Sequence, residues 1–139
     1  DEWKTIVRNV PLVSVYLIIR YNDGILLGKR QNKPAKGEWF VPGGRVHKNE
    51  SLTDAVHRIA QEEIGCKVKI NKSLGAFEHF YDTSDVPGVD TKHYLANGFT
   101  VTPKDEPSIV DSQHEELRIF SEPFPELHPY VNQYLEQLD

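Results

Sequence analysis

Near the N terminus, the spacing of apolar residues changes from a helical to an extended pattern. Four of these residues fall on one face of an α-helix: Trp3, Ile6, Val7 and Val10. Pro11 cannot continue that helix, so we predict a short leading helix that ends there. Residues 12–20 are rich in valine, isoleucine and leucine, which indicates a buried strand. Asn-Asp-Gly at 22–24 is a turn signal, and residues 25–30 are predicted to form the partner strand of a hairpin.

The rest of the chain alternates predicted strands with loops and ends in a helix. Four segments are predicted to be extended: residues 67–70, 74–81, 93–101 and 116–120. Residues 82–90 are polar and contain Pro87 and Gly88, which indicates an exposed loop. The tail over residues 127–138 places six residues on one helical face: Leu127, Tyr130, Val131, Tyr134, Leu135 and Leu138. Strands interleaved with two or three helices predict the α+β class, with a mixed sheet packed between helices.

The segment over residues 44–66, GRVHKNESLTDAVHRIAQEEIGC, passes from a Pro-Gly-Gly turn into an amphipathic helix. Five residues share one face of that helix: Leu52, Ala55, Val56, Ile59 and Ala60. Ser51 is predicted to cap its start, with Asp54 three residues on, and Gly65 suits the left-handed position that ends it. Glu63 lies four residues beyond Ile59, so we expect its carboxylate on or beside the buried face.

A carboxylate in that position needs a cation. Leaving it unpaired costs on the order of several kcal/mol, and a metal ion or an arginine are the candidate partners of Glu63. Arg58 and Glu62 are four residues apart on an adjacent face and are predicted to pair. The competing interpretation is an ordinary surface helix with a salt-bridged polar side.

Composition narrows the classes of function. A chain of 139 residues fits one domain, which we expect to span residues 1–139. The net charge of -5 argues against a broad nucleic-acid-binding face. Cys66 is the single cysteine and cannot form an internal disulfide. No apolar run approaches membrane-spanning length and there is no signal-peptide pattern, so we expect no membrane partner and a cytoplasmic location.

The glycines and charges of this segment follow the signature G-x5-E-x7-R-E-U-x-E-E-x-G-U, where U is a bulky aliphatic residue. Six positions match it: Gly44, Glu50, Arg58, Glu62, Glu63 and Gly65. The segment therefore resembles the Nudix box of the Nudix hydrolases. Ile59 replaces the glutamate after the arginine, Ala60 is small, and Cys66 ends the motif. In usual members that glutamate belongs to the metal-binding carboxylates, so the resemblance implies fewer metal ions here, or a different arrangement of them.

Segments outside the box narrow the resemblance to one branch of that family. PLVSVYLII, LLGKRQNKPAKGEWFVPGGRV, HFYD, TKHY and DSQHEE are similar to the GDP-mannose mannosyl hydrolases. Members of that branch also lack the glutamate at the Ile59 position. The chain departs from them at Tyr16, where they carry an aspartate, and at Glu62, where a small residue is common. The resemblance implies an αβα sandwich, and together with the leading helix it favours a homodimer.

Oxygen ligands for a divalent cation are available near the box. Magnesium, with manganese as an alternative, prefers oxygen and keeps several waters, so one or two protein carboxylates suffice. Glu63 is the first candidate ligand, with Glu62 beside it. The carbonyl of Gly43 is another, because a backbone oxygen at a glycine turn can approach closely. The resemblance adds Gln113. The competing interpretations are a tight turn at Gly43 and a solvated loop amide at Gln113.

Basic residues are candidates for holding the substrate and moving a proton. Arg30 and Arg45 are placed to bind phosphate oxygens and to stabilise the leaving group, unless both simply face solvent. The resemblance implies that His114 activates water as the general base, since an imidazole with a pKa near about 6.5 accepts a proton at neutral pH. Glu115 and Glu116 are fallback bases.

Four further residues are candidates for supporting roles. The resemblance implies that His79 and Tyr94 contact the sugar diphosphate, although both fit equally well as ordinary strand residues. Glu50 and Arg58 are expected to orient Glu63, which is a common role for the partners of metal ligands.

The resemblance implies the first of three possible functions, and departures from it keep two others open. The first is magnesium-dependent hydrolysis of a nucleoside diphosphate sugar, GDP-mannose, by attack of water at the anomeric carbon. The second is a pyrophosphohydrolase that directs water at phosphorus in another nucleoside diphosphate derivative, which Glu62 and Tyr16 favour. The third is a catalytically silent nucleotide-binding module, in which Ile59 marks decay of the box.

Overall fold

The computed structural model describes residues 1–32, 35–108 and 114–138, apart from the side chains of residues 114 and 115. Within these ranges the chain forms three α-helices: α1 (Glu2–Asn9), α2 (Leu52–Ile64) and α3 (Pro129–Leu135). The same ranges contain seven strands: β1 (Leu12–Tyr21), β2 (Gly24–Arg30), β3 (Trp39–Phe40), β4 (Gly43–Arg45), β5 (Val68–Tyr81), β6 (Lys92–Pro103) and β7 (His114–Phe120). Among the helices described, none has the length and apolar character needed to cross a bilayer.

The strands form one mixed sheet. Its order is β3-β2-β1-β6-β5, with β4 also paired to β1 and β7 to β2. β1 and β6 run parallel, with Leu12 opposite Tyr94 and Ile19 opposite Val101. The other pairs are antiparallel. β1 is hydrogen-bonded on both sides and is buried over most of its length, so it forms the centre of the sheet.

Helices cover both faces of the sheet because β1 is apolar on both. Val15, Leu17 and Ile19 point to one side and pack in a core with the apolar face of α2. Tyr16 and Ile18 point to the other side and pack in a second core with residues of α3. This arrangement confirms the predicted α+β class and the αβα sandwich.

The box helix α2 begins and ends as the sequence predicts. The Ser51 hydroxyl accepts a hydrogen bond from the Asp54 amide at 3.0 Å, and Gly65 ends the helix with a φ of 65°. Its buried face includes Ile59 and Glu63. Leu52, predicted on that face, lies in the first turn and is 38% exposed.

Two predicted boundaries are wrong for local reasons. The segments predicted at 67–70 and 74–81 form one strand from Val68 to Tyr81, because register shifts at Ile70/Lys72 and Ser73/Gly75 break the apolar alternation without ending the pairing to β6. The tail helix is shorter than residues 127–138, since His128 caps it by accepting from the Tyr130 amide at 3.1 Å.

His79 of β5 occupies the core between β1 and α3. Its ring stacks on Tyr130, with centroids 4.2 Å apart, and on Tyr16 at 5.4 Å. Its Nε2 lies 2.9 Å from the Tyr134 hydroxyl. Burial, with a smaller effect of His128, lowers the pKa of His79 to about 4. The imidazole is therefore neutral at pH 7 and acts as a core residue.

This burial predicts a loss of stability in weak acid. The pKa of His79 falls from 6.5 to about 4 on folding, so between those values the unfolded chain binds the additional proton. We expect this group to cost roughly 3 kcal/mol of unfolding free energy as the pH falls from 6.5 through 4. Urea unfolding across that range measures the loss, and His79→Phe should flatten it. Tyr134→Phe, which keeps the imidazole, is the control; an equally steep loss in His79→Phe would contradict the assignment.

Candidate functional site

A pocket of about 400 Å³ opens where α1, the start of β1, β4, α2 and β6 meet. Six residues predicted from the sequence line it: Arg30, Gly43, Arg45, Arg58, Glu62 and Tyr94. A second cavity, of about 560 Å³, lies at the hairpin end of β1 and contains none of the predicted site residues. The chemistry suggested by the sequence is therefore concentrated in the first pocket, although that is the smaller one.

The floor of the pocket depends on two glycines. Residues 42–44 were expected to form a turn, but Gly43 and Gly44 open strand β4 and pair with Tyr16 and Val15 of β1. A side chain at Gly43 would overlap the ring of Tyr16, and one at Gly44 would lie 3.3 Å from Ile59. β4 can therefore pair with β1 here only because Gly43 carries no side chain, and the absence of one at Gly44 gives Ile59 its room.

Ile59, the departure from the box, is part of this packing. Its side chain is fully buried in the core that α2 forms with β1, and it contacts Gly44. An apolar side chain here fills space between helix and strand, where the box has a carboxylate. Compared with the box signature, one carboxylate fewer therefore faces β4.

Glu63 lies one helical turn beyond Ile59 and is 3% exposed. Its charge acts on the phenol of Tyr16, which lines the pocket. Burial, and after it the neighbouring Tyr94, raise the pKa of Tyr16, with a smaller contribution from Glu63. The phenol therefore stays protonated at neutral pH and presents a neutral donor in the pocket wall.

Arg58 ties the loop before α2 to the helix. Its Nε donates to Glu50 at 2.8 Å, and its Nη2 donates to the Arg45 carbonyl at 2.7 Å. Its Nη1 donates to both oxygens of Glu62, at 2.9 and 3.1 Å. The Arg58 hydrogen bond, followed by that of the His47 amide, lowers the pKa of Glu50 to about 2. The predicted pairing of Arg58 with Glu62 is confirmed, and Glu50 joins it.

The oxygen donors near the end of α2 are of the type that binds a divalent metal ion. Within residues 1–32, 35–108 and 114–138, no three His, Cys, Asp or Glu side chains gather into a metal-binding group. Magnesium needs only one or two protein carboxylates, because water and phosphate complete its octahedron. The carboxylates could come from Glu63 and from Glu62, although Arg58 engages Glu62 in this structure. The Gly43 carbonyl could supply a further oxygen. Structural zinc sites, by contrast, are built from cysteine and histidine.

Aromatic rings support the cations of the opposite wall. The Arg45 guanidinium lies 4.3 Å from the centre of the Trp3 ring. The Lys92 ammonium lies 5.9 Å from that ring centre and 5.6 Å from that of Tyr94. It also pairs with Asp85 at 2.8 Å. Trp3, Asp85 and Lys92 are not among the predicted site residues, although Lys92 belongs to the TKHY segment that carries part of the resemblance.

Of the predicted site residues within the described ranges, three do not line the pocket: Glu50, Glu63 and His79. His79 is fully buried behind Tyr16, so its ring reaches no ligand in the pocket. This geometry does not support the expected contact of His79 with a sugar diphosphate. Gln113 lies outside the described residues, as does the side chain of His114. The backbone of His114 is described, and it pairs with Arg30 across β7 and β2.

Comparison with known proteins agrees with this geometry. The family profile described as NUDIX domain matches residues 10–135. The chain belongs to the Nudix family. Nudix hydrolases generally act on nucleoside diphosphate derivatives and use divalent metal ions.

Two curated Nudix relatives and one solved structure illustrate the relationship. Low-salt glycan biosynthesis protein Agl8 of Haloferax volcanii is 60% identical over 139 residues, covering 100% of this chain and 89% of Agl8. ADP-ribose pyrophosphatase of Methanocaldococcus jannaschii is 42% identical over 67 residues, 48% of this chain and 40% of that protein. The crystal structure of a MutT NUDIX hydrolase from Burkholderia pseudomallei is 28% identical, with a TM-score of 0.75 over 94% of this chain and 100% of that one.

The glycine packing predicts the effect of one added methyl group. In Gly43→Ala the new Cβ would overlap the Tyr16 ring and lie 2.6 Å from the Val15 carbonyl. We expect the unfolding free energy to fall by about 1–3 kcal/mol, the usual cost of overpacking. Urea unfolding measures it.

The neighbouring glycine supplies the control. Gly44→Ala meets Ile59 at 3.3 Å, a contact that a small shift relieves, so its loss should be smaller. Gly43→Ala should cost less in a Tyr16→Val background than in the wild type, because the smaller side chain removes the overlap. Equal losses for the two alanine variants would show that the Tyr16 contact does not limit this strand.

Proposed function

We propose that this Nudix hydrolase hydrolyses a nucleotide sugar, GDP-mannose, to GDP and mannose with the help of magnesium. Water attacks the anomeric carbon in this reaction, and the nucleoside diphosphate is the leaving group. The observation that supports it most is the burial of Ile59 against Gly44, which removes one carboxylate from the metal-binding side of the box. A role in glycan metabolism agrees with the name of Agl8, the glycan biosynthesis protein that is 60% identical.

The diphosphate would lie between the two arginines and the end of α2. Arg45 projects from β4 and is supported by Trp3, and Arg30 lies across the pocket at the end of β2. Guanidinium groups bind phosphate oxygens in pairs and stabilise charge that develops as the bond to carbon breaks. A magnesium ion held by Glu63, with the Gly43 carbonyl and Glu62 as further ligands, would neutralise the leaving diphosphate.

His114 is the proposed base, and the sheet supports its location. The β7 backbone pairs residue 114 with Arg30, the residue that we propose to bind the diphosphate. The base takes a proton as the water oxygen bonds to the anomeric carbon. The bond from that carbon to the phosphate oxygen breaks, and GDP leaves with the electron pair. Gln113, proposed from the resemblance, would assist at the metal.

One observation favours attack at phosphorus instead. Glu62, which the mannosyl hydrolases commonly lack, is present and lines the pocket, so a second carboxylate beside Glu63 could bind metal if it left Arg58. A pyrophosphohydrolase would use both carboxylates to activate water beside the diphosphate. Its products would be GMP and mannose 1-phosphate.

Product analysis separates these reactions. Incubation with GDP-mannose and magnesium in oxygen-18-labelled water should yield GDP and mannose, with the label on the sugar. This outcome follows because only the bond to carbon is broken. Label in GMP or mannose 1-phosphate would place the attack at phosphorus. Binding without turnover, with either magnesium or manganese, would indicate a silent module.

Two substitutions test the assigned roles. Glu63→Gln should weaken magnesium binding and reduce turnover by roughly 100-fold or more while the protein stays folded, because it removes a ligand charge.

His114→Ala should slow turnover by about 100-fold or more and leave magnesium affinity nearly unchanged. Calorimetry with magnesium and steady-state kinetics measure both, and Glu78→Gln, an exposed carboxylate on β5, is the control. Loss of metal binding in His114→Ala would refute its role as base.

A further inference from the structure

We propose that Lys92 and Asp85 form a specificity pair for the uncharged part of the substrate, the base or the hexose, rather than for its phosphates. This inference rests on the proposed function in taking a nucleotide sugar as the ligand. Both residues line the pocket, and neither belongs to the Nudix box.

The pair is held in one orientation. Lys92 is 7% exposed, and its Nζ lies 2.8 Å from Asp85 Oδ1. The ammonium also lies within 6 Å of the centres of the Trp3 and Tyr94 rings, a distance at which a cation is attracted to an aromatic ring. A long flexible side chain is thus fixed at the wall before any ligand arrives. Fixed groups of this kind discriminate between ligands, since little ordering is needed on binding.

Because the two charges of the pair cancel, the pair suits an uncharged part of the ligand. The ammonium donates and the carboxylate accepts, side by side, while their net charge is zero. A ligand edge that presents an acceptor next to a donor satisfies both. Guanine has such an edge, with O6 beside its N–H groups, and vicinal hydroxyls of a hexose have the same property. A phosphate fits poorly, because the Asp85 carboxylate would repel it.

The phosphates have better partners elsewhere in the pocket. The Arg45 guanidinium stacks on Trp3, and within the described part of the chain it pairs with no carboxylate. Arg58 is engaged by Glu50, Glu62 and a carbonyl. Arg45 and Lys92 both lie over the Trp3 ring, but only the charge of Lys92 is neutralised there by a carboxylate, that of Asp85. This difference assigns the Lys92 side to the neutral moiety.

A purely structural ion pair is the competing explanation. It would fasten the segment before β6 onto that strand and would affect all ligands equally. The Asp85 side chain is 42% exposed, which leaves part of the carboxylate accessible from the pocket that it lines. Selectivity between ligands, rather than affinity alone, therefore distinguishes the two explanations.

Calorimetry without metal, in the presence of EDTA, tests the proposal independently of turnover. The probes are GDP-mannose, ADP-mannose, GDP-glucose and pyrophosphate, bound to the wild type, Lys92→Met and Asp85→Asn. Methionine keeps the length and apolar stem of lysine, and Asp85→Asn serves if Lys92→Met does not fold. Lys69→Met, at an exposed position of β5, is the matched control.

We expect either variant of the pair to bind GDP-mannose roughly 10-fold more weakly or worse, the effect of losing a charged hydrogen bond. Pyrophosphate affinity should change by less than about twofold. If the variants no longer bind GDP-mannose more tightly than ADP-mannose, the pair contacts the base. If they no longer bind GDP-mannose more tightly than GDP-glucose, the pair contacts the hexose. The proposal is wrong if neither preference changes, if pyrophosphate binding weakens equally, or if the wild type binds no nucleotide sugar. Wild-type binding without hydrolysis would refute the proposed reaction and leave this subsite intact.

Discussion

The close approach of β4 to both β1 and α2 is the constraint on which the site depends. Tyr16 occupies the space above Gly43, and Ile59 occupies the space beside Gly44. A side chain at Gly43 would push the strand away from the sheet, whereas a methyl group at Gly44 would need only a small shift against Ile59. With the strand displaced, the end of α2, with its buried Glu63, would lose its place beside the Tyr16 phenol. The packing at Gly43 and Gly44 thus helps to set the distance between the Glu63 carboxylate and the rest of the pocket.

Charges around the pocket are held in place by different partners. Arg58 is held by carboxylates and by a carbonyl, which fixes the loop that follows β4. Arg45 is held by an aromatic ring, and Lys92 is held by two rings and a carboxylate. Polar groups that are already oriented stabilise charge on a ligand without reorganising. The same cations would be less selective on flexible, fully solvated side chains.

Several parts of the molecule are predictable from local chemistry. The limits of α2 follow from Ser51 and Gly65, and the β1–β2 turn from Asn22 and Asp23, both of which have positive φ angles. The burial of Glu63 follows from its spacing to Ile59 alone. The box residues are predictable for the same reason, since they lie on one helix and the adjoining loop. Their roles in catalysis remain predictions.

Other parts depend on segments that are distant in the sequence. His79 has the residue type of a ligand contact, but its partners Tyr16, Tyr130 and Tyr134 come from β1 and α3 and enclose it completely. The wall of Trp3 and Lys92 joins α1 to β6, and no local pattern relates them. The continuous strand β5 was divided in the prediction because bulges disturb the alternation that indicates a strand.

The sequence by itself therefore determined the family, the αβα architecture and the helix that carries the acidic residues, because these follow from short-range spacing. Only the tertiary structure decided which charged side chains share a pocket and which histidine is buried. Burial and pairing depend on contacts between elements that are brought together by folding, and linear spacing carries no record of those distances.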